Sequence, residues 1–226
     1  MSVNRRFVLK SLVLSGAAGL AMGIPFRALS STANGTHNSL PVMVLTNGTA
    51  IESAFLHGAN TGNSRLQVQR VSSDLAFMLD FERQMRNSKA MRIIGLLDDT
   101  SATLIMAMAG SAGARVQWLG QHTAETGFSR HHLITTDSAD GCTRQLSRQL
   151  QACGAGFSLH EEHHNNTMPA RQLDGLGPTG NQSTQWATSI GFLLASLGTH
   201  PLMDAPLTTT ASTPITGSFV SFSIEV

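Results

Sequence analysis

The sequence predicts an α/β fold: a mostly parallel sheet with helices on both faces, and a less regular C-terminal part that ends in an edge strand. Three observations carry that expectation. Residues 40–45 and 91–97 are apolar runs of strand length, broken only by Pro41 and Arg92, as expected of strands covered on both faces. Between and after them lie segments of helical periodicity. The spacing of strand and helix suits right-handed crossovers.

The elements follow in order. Residues 40–45 end at Thr46-Asn47-Gly48 and read as the first strand. Ile51, Ala54, Phe55 and Gly58 then recur at helical intervals, and residues 66–71 alternate as a second strand. Ser72 or Ser73 is placed to cap a helix running to about Asn87, whose Leu75, Phe77, Met78, Phe81 and Met85 form one stripe. Residues 91–97 are the third strand. Asp98 and Asp99 offer caps for a helix carrying Leu104, Ile105, Met106 and Met108, which Gly110 and Gly113 end. Residues 115–119 form a fourth strand, 130–136 a fifth, 138–153 a helix and 156–164 another strand. Residues 165–183, rich in Gly, Pro and Asn, read as a functional loop. Residues 184–197 are an apolar helix, 208–216 a Thr-rich connector, and 219–226 alternate as a half-buried edge strand.

The first thirty residues carry an address. Asn4-Arg5-Arg6-Phe7-Val8-Leu9-Lys10 precedes an apolar Gly/Ala-rich stretch over residues 11–24 and a small-residue run over 28–33. The pair Arg5 and Arg6, with Val8-Leu9 and Lys10, resembles a twin-arginine (Tat) export signal, with Asn4 in place of the usual Ser or Thr. The resemblance implies export by the Tat translocase, in the folded state, to the periplasm. The chain then divides into a signal peptide over residues 1–30, a linker over 31–39 and a single α/β domain over 40–226. No cysteine stands near the cleavage region to take a lipid, and no apolar run reaches the ~20 residues of a membrane span. No membrane anchor is expected in the mature form.

Composition narrows the chemistry. Hydrophobic residues at 41% and charged residues at 13% exclude a disordered chain. Without residues 1–30, 11 basic residues remain against 14 acidic ones and the formal charge moves from +1 to −3. The remaining arginines are dispersed, so nucleic acid is not an expected partner. No glycine-rich phosphate loop follows a strand, which disfavours nucleotide cofactors. Two Cys support neither a disulfide scaffold nor a thiolate metal site, whereas nine His make imidazole the abundant ligand. The ten Met lie largely on expected core faces.

His160-Glu161-Glu162-His163-His164 satisfies the letters H-E-x-x-H, but Gly154, Gly156 and Pro169 leave no room for the helix that a zincin needs. As a strand, it places His160, Glu162 and His164 on one face. Two imidazoles and a carboxylate suit Zn, Cu or Ni. His122, or His132 from the His131-His132 pair, is expected to complete that set. Thr46, Asn47, Asp98 and His122 are candidates for a small ligand, because they stand at strand ends where open α/β sheets bind ligands. Asp99 is read as the helix cap, which leaves Asp98 for function. Cys142 and Cys153 flank one helix and are expected to be free. The functional expectation is a small-ligand-binding or accessory protein of an envelope redox or transport system, with an envelope protein as possible partner. The alternatives are a metal-dependent hydrolase and a structural envelope component.

The export reading rests on the guanidinium pair. Replacing Arg5 and Arg6 by Lys preserves charge but removes the planar donors, so a Tat route is expected to fail while a general secretory route would be indifferent. Normal periplasmic levels of the double-lysine variant would overturn the assignment.

Overall fold

The computed structural model describes residues 40–87, 90–164, 168–175, 184–198, 205–207 and 215–226. The expected signal peptide and linker, most of the Thr-rich connector and much of residues 165–183 lie outside the described residues. The elements are β1 (Val42–Thr46), α1 (Glu52–Gly62), β2 (Leu66–Arg70), α2 (Leu75–Asn87), β3 (Arg92–Asp98), α3 (Asp99–Ser111), β4 (Arg115–Glu125), β5 (Phe128–Thr135), α4 (Cys142–Ala152), β6 (Gly156–His163), β7 (Arg171–Gly175), α5 (Gln185–Ala195) and β8 (Gly217–Glu225). A short 3-10 turn, Asp137–Ala139, lies between β5 and α4.

The strands form one eight-stranded sheet in the order β2-β1-β3-β8-β4-β5-β6-β7. The α/β class holds, but the sheet is mixed. β1 pairs in parallel with β2 and β3, and β5 with β6, whereas β3–β8, β8–β4, β4–β5 and β6–β7 are antiparallel. Two features of the chain produce this departure. Residues 115–125 form a longer strand than expected and turn directly into β5 through Thr126-Gly127, with Gly127 at φ 74° as a tight hairpin requires. The last strand is not an edge: β8 inserts between β3 and β4, and its residues from Phe219 to Ile224 are all buried. Its Ser221 and Ser223, which alternation alone assigns to solvent, face a second packed layer. Part of the expected loop over 165–183 is the edge strand β7.

One face of the sheet is covered by α1, α4 and α5, with Val44, Phe55, Trp118, Leu146, Phe157 and Trp186 in its core. The other is covered over β1, β3 and β8 by α2 and α3, through Met43, Phe81, Ile93, Ile105, Met106 and Phe222. Among the described residues, helices on both faces are thus confined to one part of the sheet. On the second face β5, β6 and β7 turn Arg130, His132, His160, Glu162, Gln172 and Asp174 toward solvent, half-buried or exposed.

α5 is buried over its whole length. It packs on α1 with almost no side-chain spacer: a Cβ on Gly191 would lie 2.1 Å from Phe55 O, and one on Gly58 1.9 Å from Thr188 O. Thr188 Oγ1 donates to Ala54 O at 3.1 Å across the same contact. Close packing leaves such backbone-to-backbone contacts no slack. Gly191→Ala is therefore expected to cost about 1–3 kcal/mol or more in urea unfolding. Gly110→Ala on α3, where a Cβ meets nothing within 4 Å, should be neutral or slightly stabilising. Equal stability of the two variants would contradict this packing.

Candidate metal centre on the open face of the sheet

The register of β5 on β6 brings the histidines together. The two strands run parallel with His132 opposite His160 and Ile134 opposite Glu162. Side chains opposite one another in neighbouring strands share a face, and strands lie about 4.8 Å apart, so the two imidazoles stand side by side. Their ring centroids are 5.2 Å apart. Glu162, two residues beyond His160 on the same face, turns back between them. Its Oε1 lies 3.2 Å from His132 Nε2 and 3.4 Å from His160 Nε2.

One ligand atom from each residue lies within 4.8 Å of the others. Donors held on one tetrahedral ion at ~2.0–2.1 Å are about 3.4 Å from one another, and both imidazole–carboxylate distances are of that size. The side chains of His132, His160 and Glu162 are 32%, 42% and 35% exposed, open enough for an ion to enter from solvent.

Two expected members are elsewhere. His164 lies past the end of β6, exposed in a turn, where its backbone N–H donates to Thr135 O at 2.8 Å. The strand ends one residue too early for it to share the face. His122 is on the opposite face. A bulge between Val116 and Trp118 shifts the register of β4 on β8 and sets Trp118, Gly120 and His122 toward α5. His131, opposite His122, joins it there.

These two histidines form a buried chain that spacing did not reveal. Trp118 Nε1 donates to Ser221 Oγ at 2.8 Å, Ser221 Oγ is 2.7 Å from His122 Nε2, His122 Nδ1 is 2.9 Å from His131 Nδ1, and His131 Nε2 is 2.9 Å from Ser129 Oγ. Indole can only donate, so Ser221 Oγ accepts from Trp118; with Ser221 donating onward, every link is satisfied by His122 donating to His131 and His131 to Ser129, and the reverse order, with Ser221 accepting twice, satisfies them equally. Gly120 makes room, since a Cβ there would lie 2.6 Å from Ser221 Oγ and 2.7 Å from His122 Nε2. Trp186 of α5 packs on both imidazoles, with ring centroids 5.2 and 5.5 Å away. A serine beside a histidine that is oriented by a third group has the form of an activated nucleophile. Ser221 is 0% exposed, however, and the chain packs α5 to the sheet rather than meeting a substrate.

The small-ligand candidates divide. Asn47 and Asp98 meet at the carboxyl ends of β1 and β3, the point where the order β2-β1-β3 sends successive crossovers to opposite faces. Thr46 ends β1 and is buried, and His122 belongs to the buried chain. Asp98, not Asp99, caps α3: it accepts from the backbone N–H groups of Thr100 and Ser101, each at 2.9 Å, and from Ser101 Oγ at 3.0 Å. Burial alone would push its carboxyl up, but these bonds and that from Asn47 outweigh it and hold the pKa below the usual carboxylate range. Asp74 similarly takes the capping contact expected of Ser72 or Ser73, accepting from Phe77 N at 2.7 Å. Asn47 Oδ1 and Thr49 Oγ1 are buried there with no hydrogen-bond partner. Cys142 and Cys153 are free, as expected. No helix among the described residues is long and apolar enough to cross a membrane.

Comparison with protein-family models, with curated proteins and with solved structures finds no match for the chain.

The buried chain has a measurable consequence. Burial pushes His131 down to about 3, and burial together with the neighbouring His131 holds His122 well below its ordinary value. The unfolded chain therefore takes up protons below ~6.5 that the folded chain does not, so stability is complete above that pH and is lost as pH falls toward the folded values. Between pH 7 and 5 His131 alone should lower the unfolding free energy by about 2 kcal/mol, and His122 acts in the same direction. Urea unfolding across that range, with a His122→Phe/His131→Leu variant whose slope against pH should fall by about one proton or more, checks it. An unchanged slope in the variant would show that other groups carry the pH dependence.

Proposed function

We propose that the protein is an exported binding protein whose site is a divalent transition-metal centre made by His132, His160 and Glu162. The observation that carries this reading is the single Glu162 oxygen standing 3.2 and 3.4 Å from two imidazole nitrogens on the open face of a sheet. Two neutral imidazoles and a carboxylate form a donor set suited to Zn, Cu or Ni and ill suited to Mg or Ca, which prefer all-oxygen shells. The strand ladder holds the donors in place before the ion arrives, so little ordering entropy opposes binding.

Export in the folded state, which the resemblance to a Tat signal implies, would let such a protein acquire its ion before translocation. The hydrolase alternative loses its acid–base candidate, because Asp98 is engaged in capping α3 at the ends of β1 and β3. A second reading, a small polar ligand bound at that switch point, is favoured by the unpartnered Asn47 Oδ1 and Thr49 Oγ1.

Protein purified without a histidine tag should take up one equivalent of Zn, Cu or Ni and gain about 2.7 kcal/mol of stability at a hundredfold excess of metal over Kd. Disturbing outer-shell partners of a metal commonly costs 10–100-fold in affinity, so His160→Ala or Glu162→Gln, which remove a ligand, should cost at least ~100-fold. Both side chains are partly exposed, and the apoprotein should stay within about 0.5 kcal/mol of its parent. A parent protein that takes up no stoichiometric metal in calorimetry would remove the reading.

A further inference from the structure

The metal centre lies in a longer row. Gln121 of β4 stands opposite His132, His132 opposite His160, and His160 opposite Gln172 of β7. All four side chains share one face, on four successive strands, and span about 14 Å at the strand spacing. The two imidazoles are thus flanked on either side by a carboxamide. Both glutamines are at least partly exposed, and Gln172 Nε2 donates to Asp174 Oδ2 at 3.2 Å.

Three further facts bear on what this row can hold. Among the described residues the cluster supplies three ligand atoms, whereas Zn, Cu and Ni take four or more. The donors all rise from one surface, so the sheet fills the hemisphere beneath the ion and the remaining positions point outward. Finally, two neutral imidazoles and one carboxylate leave a divalent ion with a net charge of +1.

Resting on the metal reading above, we propose that the centre accepts a bidentate, monoanionic α-amino carboxylate from solution, held between Gln121 and Gln172. The ligand, a zwitterion in solution, releases its ammonium proton to solvent as the amine nitrogen and one carboxylate oxygen fill two outward positions, and the single negative charge that results neutralises the site. The carboxamide N–H groups donate to the ligand's carboxylate, and the carboxamide oxygens accept from its amine. The ion thereby becomes the recognition element of a small-molecule site. Its ligand class follows from charge and donor type.

The test uses the full folded protein loaded with one equivalent of Cu(II), glycine as the probe and acetate as the comparison. Glycine should shift the visible ligand-field band and the electron paramagnetic resonance spectrum saturably at one glycine per copper, with copper still co-eluting with the protein at one equivalent. Acetate, which lacks the amine, should bind at least tenfold more weakly. A Gln121→Ala/Gln172→Ala variant should keep its copper stoichiometry and lose about tenfold in glycine affinity, the worth of two modest hydrogen bonds. The proposal is overturned by a spectrum indifferent to glycine, by glycine stripping the copper, by equal affinity for acetate, or by unchanged glycine affinity in the variant. Protein that takes up no copper before glycine is added would instead bring down the metal reading itself, and this proposal with it.

Discussion

The structure depends on the insertion of β8 between β3 and β4. Without that strand the sheet is two separate pieces: the parallel unit β2-β1-β3, and the hairpin β4-β5 with β6 and β7 beside it. β8 pairs antiparallel with both neighbours over nearly its whole length, from Arg92 and Arg115 opposite Glu225 to Asp98 and His122 opposite Phe219. It also belongs to both cores, since Phe219 packs with the α5 layer while Val220, Phe222 and Ile224 pack with the α2–α3 layer. These pairings join residues from 93 to 133 positions apart, so much of the loop-closure entropy of folding is met at this one strand. A chain of this topology cannot complete its sheet until β8 has been synthesised. Transport of a finished fold, which the N-terminal resemblance implies, is compatible with that order of events.

Much of the fold was legible along the chain and little of it across the chain. The runs ending at Leu45 and Leu97 announce buried strands, and the stripe of Phe77, Phe81 and Met85 announces an amphipathic helix, because burial and periodicity are local properties. Pairing partners are not local. Phe219, Ser221 and Ser223 alternating with Val220, Phe222 and Ile224 look like a strand with one wet face. Ser221 is instead buried because it is small enough to sit under Trp118 and receives its indole N–H at 2.8 Å, while Ser223 is buried with its Oγ unpartnered. A polar residue satisfied inside a core gives the same letters as one in water. The bulge before Trp118 is equally invisible in the sequence, yet it decides which face His122 occupies. Asp98 and Asp99 show the same limit at a helix start, where a shift of one position exchanges the capping carboxylate for its neighbour.

The candidate centre was legible in part for the same reason. Alternation along β6 correctly places His160 and Glu162 together, and His132 was among the two residues named to join them. The register that sets His132 opposite His160 could come only from the parallel pairing of β5 with β6. His164 fails because the strand stops at His163, and His122 because it lies beneath the sheet rather than on its open face.

His131 and His132 then show how one strand gives adjacent, chemically identical residues opposite fates. His131 points into the layer under Trp186, meets His122 and Ser129, and is kept neutral by burial. His132 points to the face that α2 and α3 leave uncovered, where it meets a carboxylate and solvent. The buried chain packs α5 to the sheet and holds β4, β5 and β8 in one register, and that same register delivers His132, Gln121 and their neighbours to the open face at strand spacing. A metal centre needs donors held by something stiffer than a loop. Here the stiff element is a sheet whose other face, behind β4, β5 and β6, is packed under α4 and α5, so the precision of the open site is a consequence of the dry layer behind it.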